Sequence, residues 1–184
     1  MELTLDEYRR DLKKRRFMAL PTAGAIVWLV VALSSVFATD VVTSLIMVTG
    51  TCTLVYFASA IAHFTGERFI TLHSPTNPFE QLLVYCFTGS LCAYALIIPL
   101  YMQDISTLPL TVGVLASLIW LPYSWIIEHW VGVVHVATRM LLLPLAWYFF
   151  PEYRFTLIPM LIFALYVFTA MVLEHRWRYL EYFA

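Results

Sequence analysis

The 184-residue chain is poor in charged residues. They make up 12% of the sequence, whereas apolar residues make up 61%, and the mean hydropathy is +0.79. This composition excludes an ordinary soluble domain and is typical of a protein built almost entirely from membrane-spanning helices. Because each crossing needs about 20 residues, the length allows six or seven spans. No room is left for a separate soluble domain.

Cysteines, lysines and catalytic motifs are also scarce. The three cysteines lie inside apolar segments, so they cannot form an extracellular disulfide framework. No lysine lies in an apolar segment, which excludes a retinal Schiff base. The motifs HExxH and GxSxG, a Walker loop and paired intramembrane aspartates are all missing. We therefore expect no cofactor, and the sequence weighs against an enzyme without excluding one.

Six long apolar segments follow a basic start. They cover residues 17–38, 41–64, 82–101, 108–127, 131–150 and 155–173. Most joints are too short for anything but tight helical hairpins, and the exception at 65–81 contains the turn-forming residues glycine and proline. We therefore predict an all-α membrane protein, a six-transmembrane-helix bundle at 17–173 with an N-terminal arm at 1–16 and a tail at 174–184.

The N-terminal arm is basic. It holds six of the eleven Lys and Arg residues, namely Arg9, Arg10, Lys13, Lys14, Arg15 and Arg16. Thr4 and Glu7 are spaced as a capping box, and Leu5, Tyr8 and Leu12 share one helical face, which predicts a short amphipathic helix on the membrane surface. The alternative is a frayed charged tail. A basic cluster at this position predicts orientation in the membrane and contact with anionic lipids, not nucleic acid binding.

The remaining basic residues favour an even number of spans. With six spans, the arm, Arg68, Arg176 and Arg178 fall on one side of the membrane, and Arg154 falls on the other. The positive-inside rule then predicts a plasma-membrane protein with both termini in the cytoplasm.

Arg139 is the most informative single residue. It lies near the middle of the fifth segment, and no Asp or Glu lies at comparable depth. A guanidinium at the bilayer centre costs from roughly 2.5 to well over 10 kcal/mol, so it normally faces a bundle interior, a wet cavity or an anion. Gly132, His135 and Arg139 share one helical stripe, which places a fixed charge and a titratable donor beside a gap at Gly132. The alternative is structural: Arg139 snorkels or donates to backbone carbonyls, and His135 caps a neighbouring helix.

Other polar side chains extend the predicted ligand site. The candidates are Thr53, Tyr56, Tyr85 and Ser124. Hydroxyl groups are also common between packed membrane helices, so packing is an open alternative for each. Pro122 removes a backbone donor and should kink the fourth segment, freeing the Leu118 carbonyl near the same cavity.

These patterns favour a protein that binds a small anion or an anionic lipid headgroup in a polar cavity around Arg139. The hypothesis extends to transport of the same ligand. Two other classes stay open: a non-catalytic assembly or scaffold subunit, and a membrane-embedded enzyme acting on lipid through His135 or His63. A homo-oligomer is compatible with each. The histidines and carboxylates near the segment ends match no zinc signature, so we expect no metal.

Short motifs also indicate a resemblance. Asn77-Pro78 opens a helix, the run LPYSW at 121–125 comes late in the next span, and the basic arm precedes both. In these features the chain resembles an uncharacterised family of small multi-spanning bacterial membrane proteins, over most of its length. The resemblance implies a bacterial inner-membrane location and supplies no catalytic or binding residues.

Overall fold

A computed structural model describes residues 3–72 and 76–182. Residues 1–2, 73–75 and 183–184, which belong to the predicted arm, long loop and tail, lie outside the described residues. All regular structure within the described ranges is helical, which confirms the all-α prediction. The α-helices there are α1 (Leu5–Lys13), α2 (Ala19–Phe37), α3 (Asp40–Cys52), α4 (Leu54–Thr65), α5 (Pro78–Gln103), α6 (Leu108–Leu115), α7 (Trp120–Ile127), α8 (Val131–Phe149) and α9 (Arg154–Tyr182).

Five helical stretches of the described chain are long and apolar enough to cross a membrane. They are α2, α5, the α6–α7 stretch, α8 and α9. Helices α3 and α4 pass the same test together but meet at a bend of 60°, so the number is six if they form one span. The prediction of a multi-span helical membrane protein is confirmed, and the predicted second segment is this bent pair.

The predicted N-terminal helix is present as α1. Thr4 Oγ1 accepts a hydrogen bond from the Glu7 amide at 3.4 Å, and the Glu7 carboxylate accepts one from the Thr4 amide at 2.7 Å, completing the capping box. Leu12, on the apolar face, is fully buried. The apolar face of α1 therefore packs on the bundle, against α5 and α7.

Cations of the arm hold α1 at the end of α7. Arg9 pairs with Glu128 at 3.0 Å and donates to the carbonyls of Trp125, at 2.5 Å, and Ile126, at 3.2 Å. Lys13 also pairs with Glu128. The Lys13 hydrogen bond and the nearby Arg9 charge lower the pKa of the Glu128 carboxyl. Arg9 therefore donates to carbonyls in the last turn of α7, where the helix no longer supplies amides four residues on.

Two further arm cations join other helices. Arg15, just after α1, is buried and pairs at 2.6 Å with the buried Glu80 of α5, and also at 2.6 Å with Asp11 of α1. Arg16 pairs with Glu174 of α9 at 2.8 Å. The arm and the far end of α9 therefore meet at one end of the bundle, and most of the arm's positive charge is neutralised within the protein.

The carboxylate of Glu67 caps α2. No side chain beside the start of α2 accepts its first amides, and Glu67 Oε2 instead accepts from the Ala19 amide at 3.1 Å. Burial raises the pKa of Glu67, although backbone amides and Arg16 act in the opposite direction. The chain enters α2 through Phe17, a non-glycine residue with a φ of 59°. This left-handed backbone costs roughly 1–2 kcal/mol.

Candidate functional site

The second span is interrupted near its middle. Thr51 Oγ1 donates to the Met47 carbonyl at 2.7 Å, and Thr53 Oγ1 donates to the Thr49 carbonyl at 2.7 Å. Hydroxyls that bond back to the preceding turn tend to bend a helix, and Gly50 in the same run weakens it further. The 60° bend between α3 and α4 falls at Thr53.

The fourth span is interrupted as well, at residues 116–119 between α6 and α7. The backbone there tightens, and the Ser117 amide donates to the carbonyl of Val114 at 3.0 Å, not to that of Gly113 four residues back. Arg139 Nη1 donates to this Gly113 carbonyl at 3.0 Å. The interruption therefore supplies the backbone acceptor that Arg139 uses.

The position of this interruption corrects the prediction made from Pro122. The Leu118 carbonyl, which the missing proline amide should leave free, accepts from the Leu121 amide at 3.1 Å. The carbonyl that lacks a helical amide partner is that of Gly113, which lies further from Pro122 than Leu118 does. The prediction was wrong because the turn tightens before Pro122 and gives Leu118 a partner three residues on.

The predicted gap at Gly132 is also wrong. A Cβ atom at this position would lie 2.8 Å from Ser124 Cβ and closer still to the Trp120 carbonyl oxygen. Glycine here lets α8 approach the backbone of α7, and no passage toward Arg139 is left beside it.

Arg139 lies in the middle of α8 and is 1% exposed. Its guanidinium carbon is 4.7 Å from the centre of the Tyr166 ring, an arrangement that stabilises a desolvated cation. Within residues 3–72 and 76–182, Nε and Nη2 have no hydrogen-bond partner and no acidic side chain pairs with the guanidinium. A buried positive charge with unused donors therefore lies inside the bundle.

His135 lies on the same face of α8 and is fully buried. Its Nδ1 is 2.8 Å from Thr169 Oγ1, and Thr169 itself donates to the Leu165 carbonyl at 2.8 Å. The hydroxyl has one hydrogen, so His135 Nδ1 carries the proton and Nε2 is an acceptor without a partner. The imidazole packs against Trp120 and Tyr166, with ring centres 4.7 Å and 4.9 Å away.

A cavity of about 160 Å³ lies between α5 and the two interrupted spans. We call it the interrupted-helix cavity. Its lining includes Thr51, Tyr56, Phe87, Ser90, Leu91, Tyr94, Ile119, Trp120 and Tyr166. Tyr94 donates its hydroxyl to Thr51 Oγ1 at 2.6 Å, because the Thr51 hydrogen is used on the Met47 carbonyl. Trp120 and Tyr166 belong both to this lining and to the surroundings of Arg139 and His135.

Tyr166 is held in place by a close approach of two helices. A Cβ atom at Gly24 of α2 would lie 2.7 Å from Tyr166 Cδ1 and closer to two other ring atoms. The ring therefore packs directly on the α2 backbone, while its faces and edges contact Arg139, His135 and Trp120. Movement of Tyr166 is limited on the side of α2.

The structure brings some of the predicted site residues together. Arg139 and His135 both contact Tyr166, and Tyr56 lines the interrupted-helix cavity that Tyr166 also borders. Arg139 itself is not part of the cavity lining. The cation and the cavity are thus neighbours joined by one aromatic ring.

The other predicted residues lie elsewhere. Thr53 is exposed at the bend, with its hydroxyl on the backbone. Tyr85 is 64% exposed and accepts from Gln81 at 3.3 Å. Ser124 is buried and donates to the His129 carbonyl at the end of α7. None of these three lines the interrupted-helix cavity.

Sequence reasoning missed Tyr166, Tyr94, Thr51 and the close approach at Gly24. One signal was available, because Tyr94 and Tyr166 lie near the middle of their segments, away from the interfaces where membrane tyrosines usually anchor. A mid-depth hydroxyl needs a partner inside the protein, and this requirement could have identified Tyr94.

The family model of DUF7010, described as a family of unknown function, matches residues 5–176. No curated protein and no solved structure matches the chain. The predicted resemblance to an uncharacterised family is confirmed.

Proposed function

This chain belongs to DUF7010, a family of unknown function, and we propose that it binds a small anion or an anionic lipid headgroup at Arg139 inside the membrane. The observation that carries the proposal is the buried guanidinium, which uses one nitrogen on the Gly113 carbonyl and leaves Nε and Nη2 without partners in the described part of the chain. A bound carboxylate or phosphate would accept from both and offset the cost of burying the charge.

We extend the proposal to transport. In many transporters, discontinuous helices line the substrate site near the middle of the membrane, and rocking of one part of the bundle against the other opens this site to each side in turn. Two interrupted spans border the interrupted-helix cavity here, which supports this extension.

We also propose a bacterial inner-membrane location with both termini in the cytoplasm. The positive-inside rule supports the orientation, and the resemblance to bacterial membrane proteins supports the location. The contacts between the N-terminal arm and the far end of α9 support placing both termini on the same side. Arg10 and Lys14, which are exposed, are the arm cations placed to meet anionic lipid headgroups.

The scaffold alternative has one observation in its favour. Helix α5 is largely unburied, and a Cβ atom at Gly89 would meet nothing within 4 Å. Exposed glycine on a membrane helix is typical of surfaces that pack against another helix, so a second copy of this chain is a candidate partner.

The binding proposal is tested with Arg139→Gln. The matched control is Arg154→Gln, at the start of α9 and at the end of the bundle away from the N-terminal arm. Thermal unfolding of the purified protein in neutral detergent is followed with added inorganic phosphate and, separately, with phosphatidylglycerol. A ligand at 100 times its Kd stabilises the protein it binds by about 2.7 kcal/mol. We expect wild type and Arg154→Gln to be stabilised and Arg139→Gln to lose the ligand-dependent increase.

Unchanged stabilisation of Arg139→Gln by both probes would refute the proposal. If neither probe stabilises wild type and Arg139→Gln only changes basal stability or oligomeric state, the scaffold class is favoured.

A further inference from the structure

We infer that the ligand is a single-chain anionic lipid, whose chain enters the interrupted-helix cavity sideways from the bilayer. The inference rests on the proposed function, because it names the ligand class of that site. The depth of the cavity, its exposed rim and its apolar lining carry the argument.

The cavity lies at the depth of the hydrocarbon core. Ser90 and Leu91 are at the centre of the 26-residue α5, so each end of the helix is about 18 Å away at 1.5 Å per residue. Leu91 is 44% exposed and Tyr56, across the cavity, is 63% exposed. A side chain exposed at this depth faces lipid tails, so the rim of the cavity opens to the bilayer.

Helix α5 forms the outer wall of this opening. Only 11% of the residues in its apolar 18-residue stretch are buried, compared with 33–50% in the corresponding stretches of α2, the α6–α7 pair, α8 and α9. Tyr94 joins α5 to α3 through Thr51, and the cavity separates the preceding turns of α5 from α4. A lipid chain can therefore pass between α5 and α4 without breaking a close-packed interface.

The volume and lining suit a hydrocarbon chain. An apolar protein cavity of roughly 150 Å³ stays dry and holds one benzene ring. The 160 Å³ here, lined by side chains such as Phe87, Leu91 and Ile119, takes a short length of chain, and the rest of the chain stays in the bilayer. Because most of the lining is apolar and few hydroxyl groups interrupt it, a free hydrophilic anion would lose most of its hydration on crossing this region, which is unfavourable.

One residue, Tyr166, separates the cavity from the Arg139 guanidinium that the anionic end of the lipid would contact. Tyr166 lines the cavity and also covers Arg139, with the guanidinium carbon 4.7 Å from its ring centre. The ring would have to turn away from Arg139 for Nε and Nη2 to reach a carboxylate or phosphate, and because α2 limits its movement on one side, this turn would be toward the cavity. With the headgroup at Arg139, the 160 Å³ of the cavity holds part of one hydrocarbon chain and leaves no room for a second.

The test uses photo-crosslinking in proteoliposomes with two probes, palmitate and hexadecanol, each carrying a diazirine on the chain. Labelled peptides are identified by mass spectrometry. Ser90→Phe fills the cavity, and Ala95→Phe adds the same ring at an exposed position of α5 outside the lining. Leu91→Trp at the rim serves as a second blocking variant in case Ser90→Phe does not fold.

We expect both probes to label residues 51–56 and 84–94. Ser90→Phe or Leu91→Trp should lower this labelling about tenfold, which corresponds to about 1.4 kcal/mol of binding, and Ala95→Phe should not. Arg139→Gln should lower palmitate labelling and leave hexadecanol labelling unchanged.

Two outcomes separate the inference from the proposed function. If phosphate stabilises wild type through Arg139 but Ser90→Phe and Leu91→Trp leave labelling unchanged, the lipid inference is overturned and the proposed function stands. If the blocking variants abolish labelling but Arg139→Gln leaves palmitate and hexadecanol labelling equal, the cavity holds a lipid chain and the anionic headgroup at Arg139 is refuted.

Discussion

Replacing Gly24 with alanine tests whether the close packing of Tyr166 on α2 holds the site together. The new methyl group would lie 2.7 Å or less from three atoms of the Tyr166 ring, whereas carbon atoms in good contact are about 3.5–4.0 Å apart. The ring would have to retreat by roughly 1 Å. Because Arg139, His135 and Trp120 pack on its other sides, this movement must disturb their contacts as well.

The expected cost is the sum of two opposing effects. Overpacking a well-filled core costs typically 1–3 kcal/mol. Alanine in place of glycine inside a helix gains about 1 kcal/mol. Gly24→Ala should therefore be destabilising by up to about 2 kcal/mol, whereas helix propensity alone would make it stabilising.

Gly89→Ala is the matched control. Gly89 also lies inside a helix, but a Cβ atom there would contact nothing within 4 Å, so this variant should be neutral or slightly more stable. Both variants and wild type are compared by denaturant unfolding in mixed micelles, with Trp fluorescence as the readout. The packing argument fails if Gly24→Ala is as stable as Gly89→Ala.

Two further predictions concern the end of the bundle that holds α1. Glu80→Ala removes one of the two carboxylates that pair with the buried Arg15; because Asp11 remains, we expect a loss of stability above about 1 kcal/mol but below the roughly 3–5 kcal/mol that a wholly unpaired buried charge costs. A stability loss below about 1 kcal/mol in the same assay would contradict this. Lys13 lowers the pKa of Glu128, so the stability from this pair is present above the unfolded pKa of the carboxyl and lost as pH falls through the lower folded pKa. Amide exchange in α1 should increase across that acid range in wild type, and in Glu128→Gln the step should be missing; an identical pH profile for both would argue against the pair.

The helical, multi-span character of the chain could be predicted from the sequence because the membrane imposes it. Apolar runs of about 20 residues have no alternative to helices in hydrocarbon, where every backbone amide needs a partner. The capping box at Thr4 and Glu7 is equally local, since the two residues are three apart and bond to each other. The stripe that joins His135 and Arg139 followed from helical periodicity alone.

The interruptions were harder to predict. Pro122 gave a strong local signal, but the fourth span breaks before it, at 116–119. The bend at Thr53 had a signal in the glycine and threonine residues around it. Whether such a run bends a helix depends on what the neighbouring helices place against it, and no spacing in the sequence reports that.

The surroundings of Arg139 depended on tertiary structure. The sequence by itself determined that a lone cation would be buried at mid-depth with no carboxylate near it, because depth follows from position within an apolar helix. Only the packing of α6 and α9 against α8, and of α2 against α9, decided that the Gly113 carbonyl and the Tyr166 ring would be its neighbours, with a cavity beyond the ring. These contacts join residues distant in the chain, and they form because helices of different spans approach closely at small residues such as Gly24, which no periodicity within one helix encodes.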